Sequence, residues 1–133
     1  MDKYINASAV FSRISREYRR LHRGFPIRPS EIRVLSIIAD KEENITPLRL
    51  SEIMEVSKAM IAAHIQTLLE KGYIYKVTCE DDKRSFFIKP TDEGIALVDE
   101  LKQRRINYMM EMEKRLGENN FDALIDLLAK AEK

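Results

Sequence analysis

Residues 50–72 read LSEIMEVSKAMIAAHIQTLLEKG, and the fold turns on where this run is cut. The cut falls at Glu55-Val56-Ser57. Ser57 is the residue type that caps a helix, accepting from the amides two or three positions on. Met60, Ile61, Ile65, Leu68 and Leu69 then recur at helical spacing, and Gly72 supplies the left-handed stop. Upstream, Thr46 followed by Pro47 makes an N-cap and first-turn pair for a short helix that runs through about Glu55. Two helices of these lengths meeting across three residues form a helix-turn-helix.

After Gly72 the period changes to rough alternation. YIYKVTC (73–79) and SFFIK (85–89) are rich in aromatic and β-branched residues, and EDDKRS (80–85) carries the turn between them. This pattern predicts a two-stranded hairpin. Thr91 caps a long helix from about Asp92 to Leu116, and a last helix runs from about Asn120 to Ala131. Before the helix-turn-helix, Pro29 opens a helix through about Ala39. Residues 3–22 read as an amphipathic helix on Val10, Phe11, Ile14, Tyr18 and Leu21, ended by HRGFPIRP (22–29). The terminal helices carry more apolar stripe than one short domain can cover, which points to a symmetric homodimer built from the two termini.

The expected fold is mainly α with a small β-hairpin wing. One domain takes in residues 1–133, with a winged helix-turn-helix core at 29–90 and a helical dimerisation region at 1–28 and 91–133. At 133 residues the chain is long enough for one core but not for separate catalytic and regulatory domains. No apolar run is long enough to span a bilayer and no signal peptide stands at the start, so no membrane partner and a cytoplasmic location are expected.

Cys79 is the only cysteine, which excludes an internal disulfide and a thiolate zinc cluster. The net charge of +1 hides an uneven distribution. Residues 1–36 hold eight Lys/Arg against three acids, residues 37–90 eight against nine, and residues 91–133 seven against ten. Arg13, Arg16, Arg20 and Arg23 share a face of the first helix or lie just past it. Phosphate contact is open to them, but a solvated face that offsets the acidic C-terminal third is the simpler reading.

From Pro29 to Gly94 the chain resembles the MarR (multiple antibiotic resistance regulator) family of bacterial transcription factors. The resemblance is carried by LSEIMEVSKAM (50–60), HIQTLLEKGYI (64–74) and DDKRSFFIKPTDEG (81–94) in that order. The last holds the family's D-x-R pattern at Asp82 and Arg84, followed by T-x-x-G at Thr91 and Gly94. With the terminal helices included, the likeness spans nearly the whole chain. Three positions depart from the usual pattern: Glu55 where the turn commonly has Gly, Pro90 at the end of the second wing strand, and Arg28 where Thr often caps.

A recognition helix reads the major groove with its N-terminal part. Ser57, Lys58, Ala59, Met60, Ala62, Ala63, His64 and Gln66 are therefore the candidate contacts to double-stranded DNA. Ser57 and the helix N-terminus favour a phosphate, and Lys58 adds charge. Ala59, Ala62 and Ala63 allow close approach, and Gln66 has the geometry to pair with adenine. Met60 is equally suited to a core position. His64 with the distant His22 makes no metal site.

The resemblance implies that the wing inserts Arg84 into the minor groove, oriented by Asp82, with Lys83 beside it for phosphate. It also implies a switch, either a small aromatic or phenolic effector or oxidation of a cysteine. Cys79 is the redox candidate, although a lone strand cysteine is more often inert packing. Tyr18, Phe25 and the first-helix arginines are candidate pocket walls, although residues of these types are more often core and surface.

No Gly-rich phosphate loop, nucleophile set or metal motif is present, so neither an enzyme nor a cofactor is expected. The expected function is a DNA-binding repressor acting as a homodimer on a pseudo-palindromic operator. The competing reading is a winged-helix module for protein contacts with weak or lost DNA binding. The near-neutral 37–90 segment favours that alternative, because phosphate neutralisation supplies much of the affinity of DNA-binding proteins.

Overall fold

The computed structural model describes residues 1–40, 44–78, 80 and 85–133. The helices are α1 (Asp2–Arg20), α2 (Pro29–Asp40), α3 (Pro47–Met54), α4 (Lys58–Glu70), α5 (Asp92–Leu116) and α6 (Glu118–Ala131), with strands β1 (Ile74–Thr78) and β2 (Phe86–Pro90) between α4 and α5. The chain divides into two compact units, Gly24–Glu100 and the paired termini Met1–Arg23 with Leu101–Lys133. The boundary falls inside α5.

In the Gly24–Glu100 unit each helix starts where a side chain can satisfy amides that the helix leaves open. At α2 that group is the Glu31 carboxylate. Its Oε1 accepts from the Arg28 backbone N–H at 2.8 Å and its Oε2 from the Arg28 guanidinium at 3.2 Å. This is one half of a capping box, and it explains how Arg28 stands at a position where Thr would otherwise cap. Glu31 is 3% exposed. Burial pushes its carboxyl pKa up, but the two hydrogen bonds from Arg28 and the guanidinium charge oppose burial, and the carboxyl is held below the ordinary 4.5.

A carboxyl with a depressed folded pKa contributes stability that is complete above the unfolded value and is lost as pH falls through the folded one. Glu31→Gln, which cannot ionise, is therefore expected to be less stable than wild type near neutrality and to converge with it in acid. Urea midpoints of the two proteins between about pH 6 and pH 3 check this. A constant difference across that range would exclude the linkage.

Thr46 Oγ1 accepts from the Arg49 N–H at 3.2 Å, with Pro47 at the first helical position of α3. The α3–α4 turn then passes through Glu55 in the left-handed region, φ 55° and ψ 43°. Glu55 is the only non-glycine residue with positive φ among the described residues, at a cost of about 1 kcal/mol. Ser57 Oγ accepts from the Met60 N–H at 3.1 Å and starts α4. The α4 C-terminus is a Schellman stop, in which Gly72 N–H donates to Leu69 O at 3.1 Å and Tyr73 N–H to Leu68 O at 2.9 Å, with Gly72 at φ 79°.

The core of this unit is aliphatic. Val34, Leu35 and Ile38 of α2, Leu50 of α3, Ile61 and Leu68 of α4, Ile74 of β1 and Ile88 of β2 are all buried. Strands β1 and β2 pair antiparallel from Ile74↔Pro90 to Thr78↔Phe86. Pro90 closes the ladder at its end, where the missing N–H costs nothing. Ile88 N–H also donates to Ile45 O at 2.9 Å, an isolated bridge on the other edge of β2. Sequence pattern could not show this bridge, because one residue has no period.

The paired termini form the second unit. Within it the Arg104 guanidinium donates from Nη1 to Leu21 O and Arg23 O, both at 2.9 Å. Tyr18 and Tyr108 meet edge to face at 5.9 Å, and Tyr108 donates to Glu17 Oε2 at 2.7 Å. Burial raises the Tyr108 pKa, and so do the hydrogen bond to Glu17 and its charge. Neither α1 nor α6 has a buried residue. Val10, Phe11 and Ile14 of α1, Met112 of α5, and Leu124 and Leu128 of α6 instead line an apolar groove of about 700 Å³. Among the described residues no helix is long and apolar enough to cross a membrane.

Candidate nucleic-acid interface

Helix α4 presents two faces. It packs against α2, α3 and β1, and Ile61, His64, Ile65 and Leu68 are its buried residues. Ser57, Lys58, Ala59, Met60, Ala62, Ala63 and Gln66 are exposed. The most outward line is Ala59, Ala63 and Gln66, spaced i, i+4, i+7, with Ala62 and Met60 to either side. At the N-terminus helix geometry leaves the Lys58 and Ala59 amides without intrahelical acceptors. An anion seated there meets two N–H donors, the positive end of the helix dipole and the Lys58 ammonium.

One sequence expectation changes and one open choice is decided. His64 was expected among the DNA contacts, but it is 8% exposed and both ring nitrogens are buried without a hydrogen-bonding partner. It lies one turn from Ile61 and Leu68 on the packed side, so its ring cannot reach a base edge while α4 stays seated. The spacing Ile61, His64, Ile65, Leu68 places His64 on the same face as three buried aliphatic residues. Met60, for which the sequence leaves base contact and core packing both open, is 49% exposed. Gln66 faces out, but its Nε2 donates to Glu70 Oε1 at 2.9 Å. A two-bond contact to adenine exchanges that exposed interaction for a base edge.

The wing is held from behind by the residues of the T-x-x-G pattern. Thr91 Oγ1 accepts from the Gly94 N–H at 3.1 Å and donates to Gly72 O at 2.7 Å. The Thr91 N–H donates to Tyr73 O at 3.0 Å. A Cβ on Gly94 would stand 2.2 Å from Tyr73 O, so only glycine permits this approach. The start of α5 is thereby clasped to the turn that joins α4 to β1. On the wing itself the Lys76 ammonium lies 4.5 Å from the centre of the Phe86 ring. Asp82, Lys83, Arg84 and Cys79 lie outside the described residues.

A helix-turn-helix whose second helix turns an exposed face outward, followed directly by a two-stranded antiparallel hairpin, defines a winged-helix protein. Residues 27–86 match the sequence profile of the MarR family. The uncharacterized HTH-type transcriptional regulator YdgJ of Bacillus subtilis is 24% identical over 104 residues, 78% of this chain and 63% of the relative. The chain thus spans less than two thirds of that relative's length. The transcriptional regulator Tm0710 from Thermotoga maritima is 25% identical, with a TM-score of 0.68 and 92% of each chain covered. The S. aureus MepR–DNA complex superposes with a TM-score of 0.79 at 20% identity, covering 93% of this chain and 96% of that one. The match to the MarR family profile lies within the Gly24–Glu100 unit, and the paired termini fall outside it.

Proposed function

We propose that this protein binds double-stranded DNA sequence-specifically as a homodimer, represses transcription from a pseudo-palindromic operator, and is released by a small aromatic or phenolic effector. The observation that carries the DNA reading is the exposed face of α4, which starts at the Ser57 cap beside Lys58 on a helix packed against α2, α3 and β1. Ser57, Lys58, Ala59, Met60, Ala62, Ala63 and Gln66 are its contact set, without His64. Asp82, Lys83 and Arg84 are proposed for the wing on the family pattern. The fold likeness to MepR, a structure of which holds DNA, supports the same reading.

The homodimer is supported by the paired termini. Two helices without a buried residue and an apolar groove of about 700 Å³ are what a second copy would cover. The two recognition helices then address half-sites about one helical turn apart, ~34 to 36 Å. The effector reading is supported by the fold likeness to MepR bound to ethidium bromide. An effector acts by binding more tightly to a dimer whose recognition helices are wrongly spaced for DNA.

The test is a mobility-shift titration of the homogeneous protein against its own upstream duplex at several salt concentrations. Sequence-preferring binding that weakens linearly in log salt is expected. Arg84→Ala is expected to weaken it by at least tenfold, equivalent to about 1.4 kcal/mol, with the dimer intact by sedimentation. Salt-insensitive or absent binding would transfer the protein to the competing class, a winged-helix module for protein contacts. Unchanged affinity in Arg84→Ala would remove the wing from the mechanism while leaving α4 in place.

A further inference from the structure

The exposed side of the recognition helix is short of hydrogen-bonding groups. From Lys58 to Gln66 it offers one ammonium, at its first residue, and one carboxamide, already engaged with Glu70. Between them the outward side chains are Ala59, Met60, Ala62 and Ala63. Met60 is the informative member. It is a large apolar side chain left 49% exposed beside the Ser57 cap that holds its own N–H at 3.1 Å. A thioether has no strong donor or acceptor with which to distinguish base edges. The one apolar feature that differs among base pairs in the major groove is the 5-methyl group of thymine.

Resting on the DNA-binding reading above, we infer that Met60 is a specificity-determining residue that recognises a thymine by its 5-methyl group. The small side chains at Ala59 and Ala63 allow the helix to approach closely enough for that contact. Half-site preference at the base facing Met60 is then set by methyl burial and not by hydrogen bonds. Removing one methyl is expected to cost about fourfold in affinity, the size of exposing one methylene-scale group.

The experiment selects bound duplexes from a random library and then replaces each half-site thymine, one at a time, by deoxyuridine, which pairs identically but lacks the methyl. Affinity is read by fluorescence anisotropy at fixed salt. About a fourfold loss is expected for at least one thymine of the half-site. In Met60→Ala that loss should disappear at the thymine facing residue 60, because the partner of the methyl is gone; Met60→Leu should retain it. The double comparison isolates the pairwise contact. Position 60 is exposed and alanine is a strong helix former, so both variants are expected to fold as wild type. Tight, sequence-preferring binding that is indifferent to uracil, or a uracil penalty that persists unchanged in Met60→Ala, would overturn this inference and leave the DNA reading standing. Absence of sequence-preferring binding would overturn both.

Discussion

Gly94→Ala is expected to destabilise the Gly24–Glu100 unit by about 3 kcal/mol, near the upper end of the usual overpacking range. The added Cβ would meet Tyr73 O at 2.2 Å, Tyr73 C at 3.1 Å and Leu35 Cδ1 at 3.2 Å. Two of these three atoms are backbone, and the carbonyl is itself held by the Thr91 N–H. Relief therefore means breaking that hydrogen bond and moving the start of α5 away from the α4–β1 turn. A loss of this size corresponds to roughly 10 °C in Tm for a chain of this length, and thermal unfolding by circular dichroism checks it. Gly94 is helical, and alanine is the better helix former, so local propensity alone predicts the opposite sign. A stabilised variant would show that the T-x-x-G pattern does not work through this close approach.

The second large effect is expected at Ile61, and its contrast with the neighbouring residue is informative. Ile61→Ala should cost about 2 to 5 kcal/mol, the range for truncating a fully buried aliphatic side chain, since Ile61 has no measurable exposure. Met60→Ala, one position away and half exposed, should stay within about 0.5 kcal/mol. Urea unfolding of the two variants decides the matter. Equal losses would mean that α4 is not oriented as described, which would also invalidate the choice of residues proposed to face DNA. The order of the two losses thus reads the rotation of the recognition helix without any DNA present.

Much of the fold is legible in the sequence, because its punctuation is local. Thr46 with Pro47, Ser57, Gly72 and Thr91 each act on amides or carbonyls within a few residues, and each does so in the structure. The expected span of α5 coincides with Asp92–Leu116. Helix α1 ends slightly earlier than its apolar period suggested, at Arg20. Helix α6 starts earlier, at Glu118, directly after Gly117 at φ 84°, which provides no side-chain cap. A cap without a side chain leaves no residue type to recognise. The pairing of Ile88 with Ile45 was equally hidden, being a contact between segments far apart in sequence.

The site was legible to a different degree. Sequence period and a Ser cap were enough to identify α4 and to propose residues 57–66 as its reading end, since both are properties of one helix. Which way each side chain points was decided by what packs behind the helix. His64 is inward because α4 is seated on α2, α3 and β1, and Met60 is outward although it is apolar. The T-x-x-G pattern likewise appears in the sequence as two letters at a fixed spacing. Its reason exists only in three dimensions, where Thr91 and Gly94 close on Gly72 and Tyr73 at the base of the wing, with Thr91 and Gly72 19 residues apart in sequence. Capping and periodicity are short-range and can be read along the chain; burial and close approach are sums over distant segments, and only the tertiary structure brings those together.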